Sequence, residues 1–236
     1  MKREIIAASA AAALLLSSGC SGYRTRMPTA YSQPSGGFTM AAPSQRVVQV
    51  KSMSTAAEDL YSAVDSGNWA AAQGIALRLG VNTGSAPVMS GMTTGSRSAL
   101  VGRLQQAINA KDNYTAKKCA NQLYRDLSNM AAPYNSTMPT SLNSLKYYCR
   151  ETQLACQQKN KSLATANISK VIGCWNSTRA VVSPKYSNDV AKGQRLVNTL
   201  NRCIATGNLT KVNGYCGNLL AQTKVIESDC AKQNMM

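Results

Sequence analysis

Eight cysteines, ten methionines and no histidine set the chemistry open to this chain of 236 residues. Without imidazole, Ser–His and Cys–His nucleophilic catalysis cannot be assembled, and the commonest zinc ligand is missing. No GxSxG, SxxK or GxxxxGK stretch occurs, so neither a nucleophile elbow nor a phosphate-cradling loop is encoded. The ten acidic residues are dispersed, and a glycosidase-type carboxylate pair would need the fold to bring two together. CxxC and CxxCH are absent, which excludes covalent c-type haem. Abundant sulfur raises soft-metal binding such as Cu(I). The methionines, however, fall mostly in loops and at the ends (Met89, Met92, Met235, Met236), without clustered spacing. These residues imply a protein that is not an enzyme, with no cofactor and no metal; a thiol- or metal-binding protein stays as a second alternative.

The chain starts "MKREIIAASAAAALLLSSGC". Lys2 and Arg3 form a short basic segment, and Ile5 to Leu16 an apolar stretch too short to span a bilayer permanently. "LSSGC" then sets small residues directly before Cys20. This resembles the lipobox of bacterial lipoproteins, over the first twenty-odd residues only. The resemblance implies a signal peptide over 1–19, cleavage before Cys20 and palmitate-type acylation of its thiol. Position 21 is Ser rather than Asp. By the sorting rule of enteric bacteria this implies the outer membrane, with the domain facing the periplasm or the cell surface. Two or three acyl chains would anchor stably, at about 0.8 kcal/mol per buried methylene.

Residues 20–50 are rich in Ser, Gly, Pro, Gln and Ala without helical period, and read as a flexible linker. From there to residue 236 the texture is helical. "LYSAVDSGNW" begins at Leu60, "LQQAINAKDNY" at Leu104, "LACQQKNKSL" at Leu154 and "LNRCIATGNL" at Leu200, so the starts lie 44, 50 and 46 residues apart. In each, an apolar stripe meets a polar break, and a second stripe follows. Gly-Asn or Asp-Asn in three of the breaks suits a tight helix–helix turn; "KNK" in the third is weaker. Trp69, Ala72, Ala76 and Leu79 step by three and four. So do Ala116, Ala120, Leu123, Leu127 and Met130, and so does the run Leu209, Val212, Cys216, Leu219, Thr223, Ile226, Cys230. The expected fold is all-α: four antiparallel helical hairpins over 51–236, stacked either as a helical repeat or as paired four-helix bundles. The hairpins are loosely similar to tetratricopeptide-type helix pairs, but the period is too long for that family.

Seven cysteines remain in this domain. An exported chain meets an oxidising compartment, so bridges that staple the helices are expected. With a turn near Lys161, Cys149 lies twelve residues before it and Cys174 thirteen after, so antiparallel packing could join them. A turn near residues 135–138 likewise sets Cys119 opposite Cys156. Cys149 and Cys156 are a heptad apart, about 10.5 Å on one helix, beyond the roughly 7 Å a disulfide allows. Cys216 and Cys230 are excluded in the same way. Cys203 is therefore assigned to Cys216, which leaves Cys230 as the odd thiol.

The formal net charge is +16, or +15 once Lys2, Arg3 and Glu4 are removed. The cations are scattered, densest in "KDNYTAKKC". A basic excess favours anionic partners; a nucleic acid is not the expected one. The functional expectation is a non-catalytic protein-binding or scaffold component of an envelope or secretion assembly, held to the membrane through the lipid on Cys20. The alternative is a basic binder of anionic envelope glycan or lipid.

Overall fold

The computed structural model describes residues 45–85, 94–132, 139–182 and 186–233. The leader, Cys20, the linker up to residue 44, and Met89, Met92, Met235 and Met236 lie outside the described residues. The described part belongs to one compact unit, Ala41–Met236, and is all-α. It comprises α1 (Gln45–Asp65), α2 (Trp69–Ser85), α3 (Thr94–Asn109), α4 (Asn113–Ala131), α5 (Thr140–Gln157), α6 (Lys161–Arg179), α7 (Ser187–Ala205) and α8 (Leu209–Gln233). No helix among the described residues is long and apolar enough to cross a membrane.

Four turns of one design close the four hairpins. In each, the second residue after the first helix takes a left-handed backbone: Gly67 (φ 72°), Lys111 (52°), Lys159 (54°) and Gly207 (74°). Its N–H and that of the next residue reach back to the carbonyls of the last helical turn. Asn68 N donates to Ala63 O (2.8 Å), Asp112 N to Ala107 O (2.8 Å), Asn160 N to Ala155 O (2.9 Å) and Asn208 N to Cys203 O (3.0 Å). This closes the helix in a Schellman motif. The same Asn or Asp then caps the second helix: its side chain accepts from the backbone N–H of Ala71, Thr115, Leu163 or Lys211, at 3.0–3.1 Å. One residue thus ends one helix and begins the next.

This geometry corrects the repeat register. The left-handed residues are 44, 48 and 48 positions apart. The third hairpin aligns from Thr152 rather than Leu154, and the second is not a residue longer. "QKNK" builds the same turn as the Gly-Asn hairpins, because what the turn needs is one residue tolerating positive φ followed by an Asx cap. Helix α1 also starts at Gln45, inside the stretch read as linker. Its inward stripe, Val50, Met53, Ala57, Leu60 and Val64, keeps helical spacing back to the linker's last residue.

Helix order decides between a solenoid and bundles. Helix α1 packs on α2, α2 on α3, α3 on α4, and α4 closes back on α1; α5, α6, α7 and α8 close in the same cyclic way. The result is two up-and-down four-helix bundles joined through α4 and α5. Each has its own core. The first runs from Val50 to Ala131, the second from Leu142 to Cys230; Tyr147 of α5 belongs to the first core, and the half-buried Tyr148 packs against both. Each fully buried Leu or Ile in these cores contributes roughly 1.5–3 kcal/mol. The inward stripes of α2, α4 and α8 face the cores as their spacing requires, with Trp69 and Leu209 half-buried at the turn end. In the second core the Trp175 ring fills the space over Gly193, where any side chain would collide with it; its indole N–H donates to Gln194 Oε1 at 2.8 Å.

Candidate functional site

Helix α5 has two buried faces. Leu142, Leu145 and Cys149 look into the second core. Lys146 and Arg150, one turn apart on the other side, point at the first bundle and are 4 % and 3 % exposed. Burying two cations is costly unless carboxylates meet them, and two do. Glu58 of α1 accepts from Lys146 Nζ (3.1 Å) and from Arg150 Nη2 (2.8 Å). Glu227 of α8 takes the other side of Lys146. Two positive and two negative side chains thus form a continuous chain of ion pairs linking α1, α5 and α8.

Aromatic rings complete it. The Arg150 guanidinium lies 5.2 Å from the Tyr61 ring centre and 4.6 Å from that of Tyr124. This cation–π sandwich faces a guanidinium whose Nη1 finds no hydrogen-bond partner among the described residues. Further links run along the same seam. Lys117 Nζ contacts Asp65 at 2.9 Å; Asn121 donates to Glu151 Oε1 (2.8 Å) and to the Tyr147 carbonyl (3.2 Å); Ser54 and Ser128 share a hydrogen bond of 2.7 Å. Above the network opens a groove of about 480 Å³, bordered by Lys51, Asp59 and Lys224 and floored by Glu58, Lys146 and Glu227.

The electrostatics of the network are those of settled charges. Burial alone would raise the Glu58 pKa, but Arg150 and Lys146 outweigh it and hold the carboxyl below its ordinary value. Burial would lower Lys146, but Tyr124, Glu227 and Glu58 outweigh it and keep the ammonium charged. Burial pushes the Tyr124 phenol up to about 12. Glu227 is the exception: burial exceeds the pull of Lys146, and its carboxyl is shifted upward.

The cysteines are arranged differently from the pairing inferred by hairpin symmetry. Cys119, Cys149, Cys156, Cys174, Cys203 and Cys216 carry free thiols, and the bridges Cys119–Cys156, Cys149–Cys174 and Cys203–Cys216 are not formed. Cys119 packs in the first core and Cys156 in the second, so their thiols look into different bundles. Cys216 meets Cys149 instead of Cys203, because α8 returns alongside α5, where Gln153 also donates to the Asn213 carbonyl at 3.3 Å. The hydrogen bond with Cys149, together with burial, raises the Cys216 pKa well above the ordinary thiol value. Burial pushes Cys156 to about 11 and also raises Cys119, Cys174 and Cys230. Cys230, inferred to be the odd thiol, is 5 % exposed in the second core. Among the described residues no group of three or more Cys, Asp or Glu is placed to hold a metal ion.

Sequence reasoning passed over the charge network. Its one signal lies in "LKYYCRE": two cations spaced i, i+4 within a helix that also carries Leu142, Leu145 and Cys149. Charges in step with a second inward face mark a helix buried on both sides. No known protein family matches this chain, and no curated protein or solved structure is significantly similar to it.

Proposed function

We propose that this chain is a lipid-anchored, non-catalytic scaffold that presents a rigid two-bundle body to a protein partner in a bacterial envelope, held at the outer membrane through Cys20. One observation carries the reading. In the buried constellation of Glu58, Lys146, Arg150 and Glu227, every charge is paired within the group. General acid–base work needs a group held near neutral pH and aimed at a substrate, whereas Glu58 is held ionised and Lys146 protonated, and Glu227, though shifted upward by burial, is tied to Lys146. What the network supports is stiffness. It pins α1, α5 and α8 at one point, so a surface spanning both bundles keeps its shape and a partner binds with less ordering cost. The "LSSGC" stretch supplies the address. A thiol or metal role has less support, because thiolates are the reactive and ligating form and burial contributes to raising Cys119, Cys156, Cys174, Cys216 and Cys230.

The test is expression of the full chain in a bacterial host, with mass analysis of its first residue and crosslinking in intact envelopes. The expected results are an acylated Cys20 and a protein crosslinked reproducibly above an unrelated lipid-anchored control. An unmodified N-terminus would overturn the anchoring, and crosslinks no richer than the control would overturn the scaffold role.

A further inference from the structure

The four hairpin turns lie together at one end of the described helical body. Asn113 at the second turn donates to the Val64 carbonyl at the first (2.8 Å). Gln157 before the third donates to Asn113 Oδ1 (3.4 Å). The Lys161 ammonium after the third comes within 3.4 Å of where a side chain on Gly207, in the fourth, would begin. This end exposes Lys111, Lys118, Lys159, Lys161, Arg202 and Lys211. Among the described residues no carboxylate lies at ion-pair distance from any of the six. The two aspartates in the turns are engaged: Asp65 with Lys117, Asp112 as the cap of α4. Asp126, Asp189, Glu227 and Asp229 sit toward the opposite ends of their helices, while Glu58, Asp59 and Glu151 lie in the turn-side halves of α1 and α5, with Glu58 paired to Lys146 and Arg150 and Glu151 accepting from Asn121.

Two of these cations occupy positions where the backbone favours glycine. Lys111 and Lys159 hold φ of 52° and 54°, while the matching residues of the other turns are Gly67 and Gly207. A non-glycine residue there costs roughly 1–2 kcal/mol. The turn end thus carries positive charge against a conformational preference.

We infer that the turn end is a docking face for a linear acidic polysaccharide, with Lys111, Lys159, Lys161 and Lys211 as its central contacts. Five of the six cations are lysines. Lysine is a hydrated point charge suited to scattered carboxylates or phosphates, and it is depleted in protein–protein interfaces, where arginine and aromatics lead. The chain enters the domain at Gln45, at the far end of α1, a helix of 21 residues and about 31 Å. On the proposed anchoring, the lipid-bearing segment joins the domain at the end opposite the turns, which leaves the turn face open to a polymer.

The test uses the full chain in neutral detergent on immobilised polygalacturonate, with neutral dextran and anionic phospholipid vesicles as comparisons. The combined variant Lys111→Gln, Lys159→Gln, Lys161→Gln, Lys211→Gln is set against Arg78→Gln, Lys170→Gln, Arg195→Gln, Lys224→Gln, which removes the same charge elsewhere. Expected are salt-sensitive binding to the polyanion, a tenfold or greater loss in the turn variant, and a loss under about twofold in the control, since screened surface charges act locally. Equal losses in both variants, retention on dextran, or binding to the vesicles alone would overturn the proposal. Acylation of Cys20 and the protein crosslink are read separately, so failure of the anchoring or scaffold reading is distinguishable from failure of this one.

Discussion

Replacing Glu58 with Gln leaves Lys146 and Arg150, both almost fully buried, facing a single carboxylate. Glu227 touches Lys146 but makes no ion pair with Arg150 among the described residues. Removing one partner of a buried ion pair costs about 3–5 kcal/mol, because the stranded charge stays out of water. The Glu58 side chain is 13 % exposed, so the lower figure, about 3 kcal/mol, is the expectation. For a helical domain of about 190 residues, 1 kcal/mol moves the melting temperature by roughly 2–4 °C. Glu58→Gln should therefore lower Tm by about 6–12 °C at neutral pH. Glu227→Gln removes the same formal charge but should cost under about 1 kcal/mol, because burial already works against that carboxylate. The two also respond oppositely to acid. The Glu58 pKa is depressed, so its contribution is complete above the ordinary value of 4.5 and is lost as pH falls through its lower folded pKa. The Glu227 pKa is raised, so its ionisation costs stability above the folded pKa, and that cost fades as pH falls toward 4.5. Thermal melts followed by far-UV circular dichroism across acid and neutral pH read both effects. A Tm for Glu58→Gln equal to or above that of Glu227→Gln would refute the reasoning.

Gly193→Ala should destabilise by about 1–3 kcal/mol through collision with Trp175, despite alanine's better helix propensity. Gly74→Ala, where the added carbon meets nothing within 4 Å, should stabilise by roughly 0.5–1 kcal/mol; chemical denaturation of the pair checks both signs. Lys159→Gly should raise stability by about 1 kcal/mol by relieving the left-handed residue, and Gly207→Ala should lower it by a similar amount, in the same assay. In the folded protein at neutral pH, alkylation should be slow throughout and fastest at half-buried Cys174, with Cys149, Cys156 and Cys216 labelled only after unfolding; peptide mapping by mass spectrometry decides. If export oxidises the chain, Cys149 should be found bridged to Cys216, and a Cys119–Cys156 bridge would contradict the separation of the two cores.

The sequence by itself determined the helices and their turns. Local physics suffices there: a three-and-four apolar step keeps one face inward, and an Asx residue after a break supplies a cap. The inward runs Ala116–Met130 and Leu209–Cys230 are therefore readable without any partner. The "QKNK" turn is harder to read, because it carries neither the Gly-Asn nor the Asp-Asn pair that marks the other three, although Lys159 and Asn160 fill the same positions as Lys111 and Asp112. Tertiary structure alone decided what each inward face meets. An apolar stripe fits a solenoid neighbour or a bundle equally well, and only the closure of α4 on α1 and of α8 on α5 selects bundles. The same closure sets Cys149 against Cys216 and gathers Glu58, Lys146, Arg150 and Glu227 from three helices. Those contacts span up to 169 positions along the chain, from Glu58 to Glu227. Periodicity fixes a residue's angle about its own helix axis and says nothing of which other helix lies in that direction.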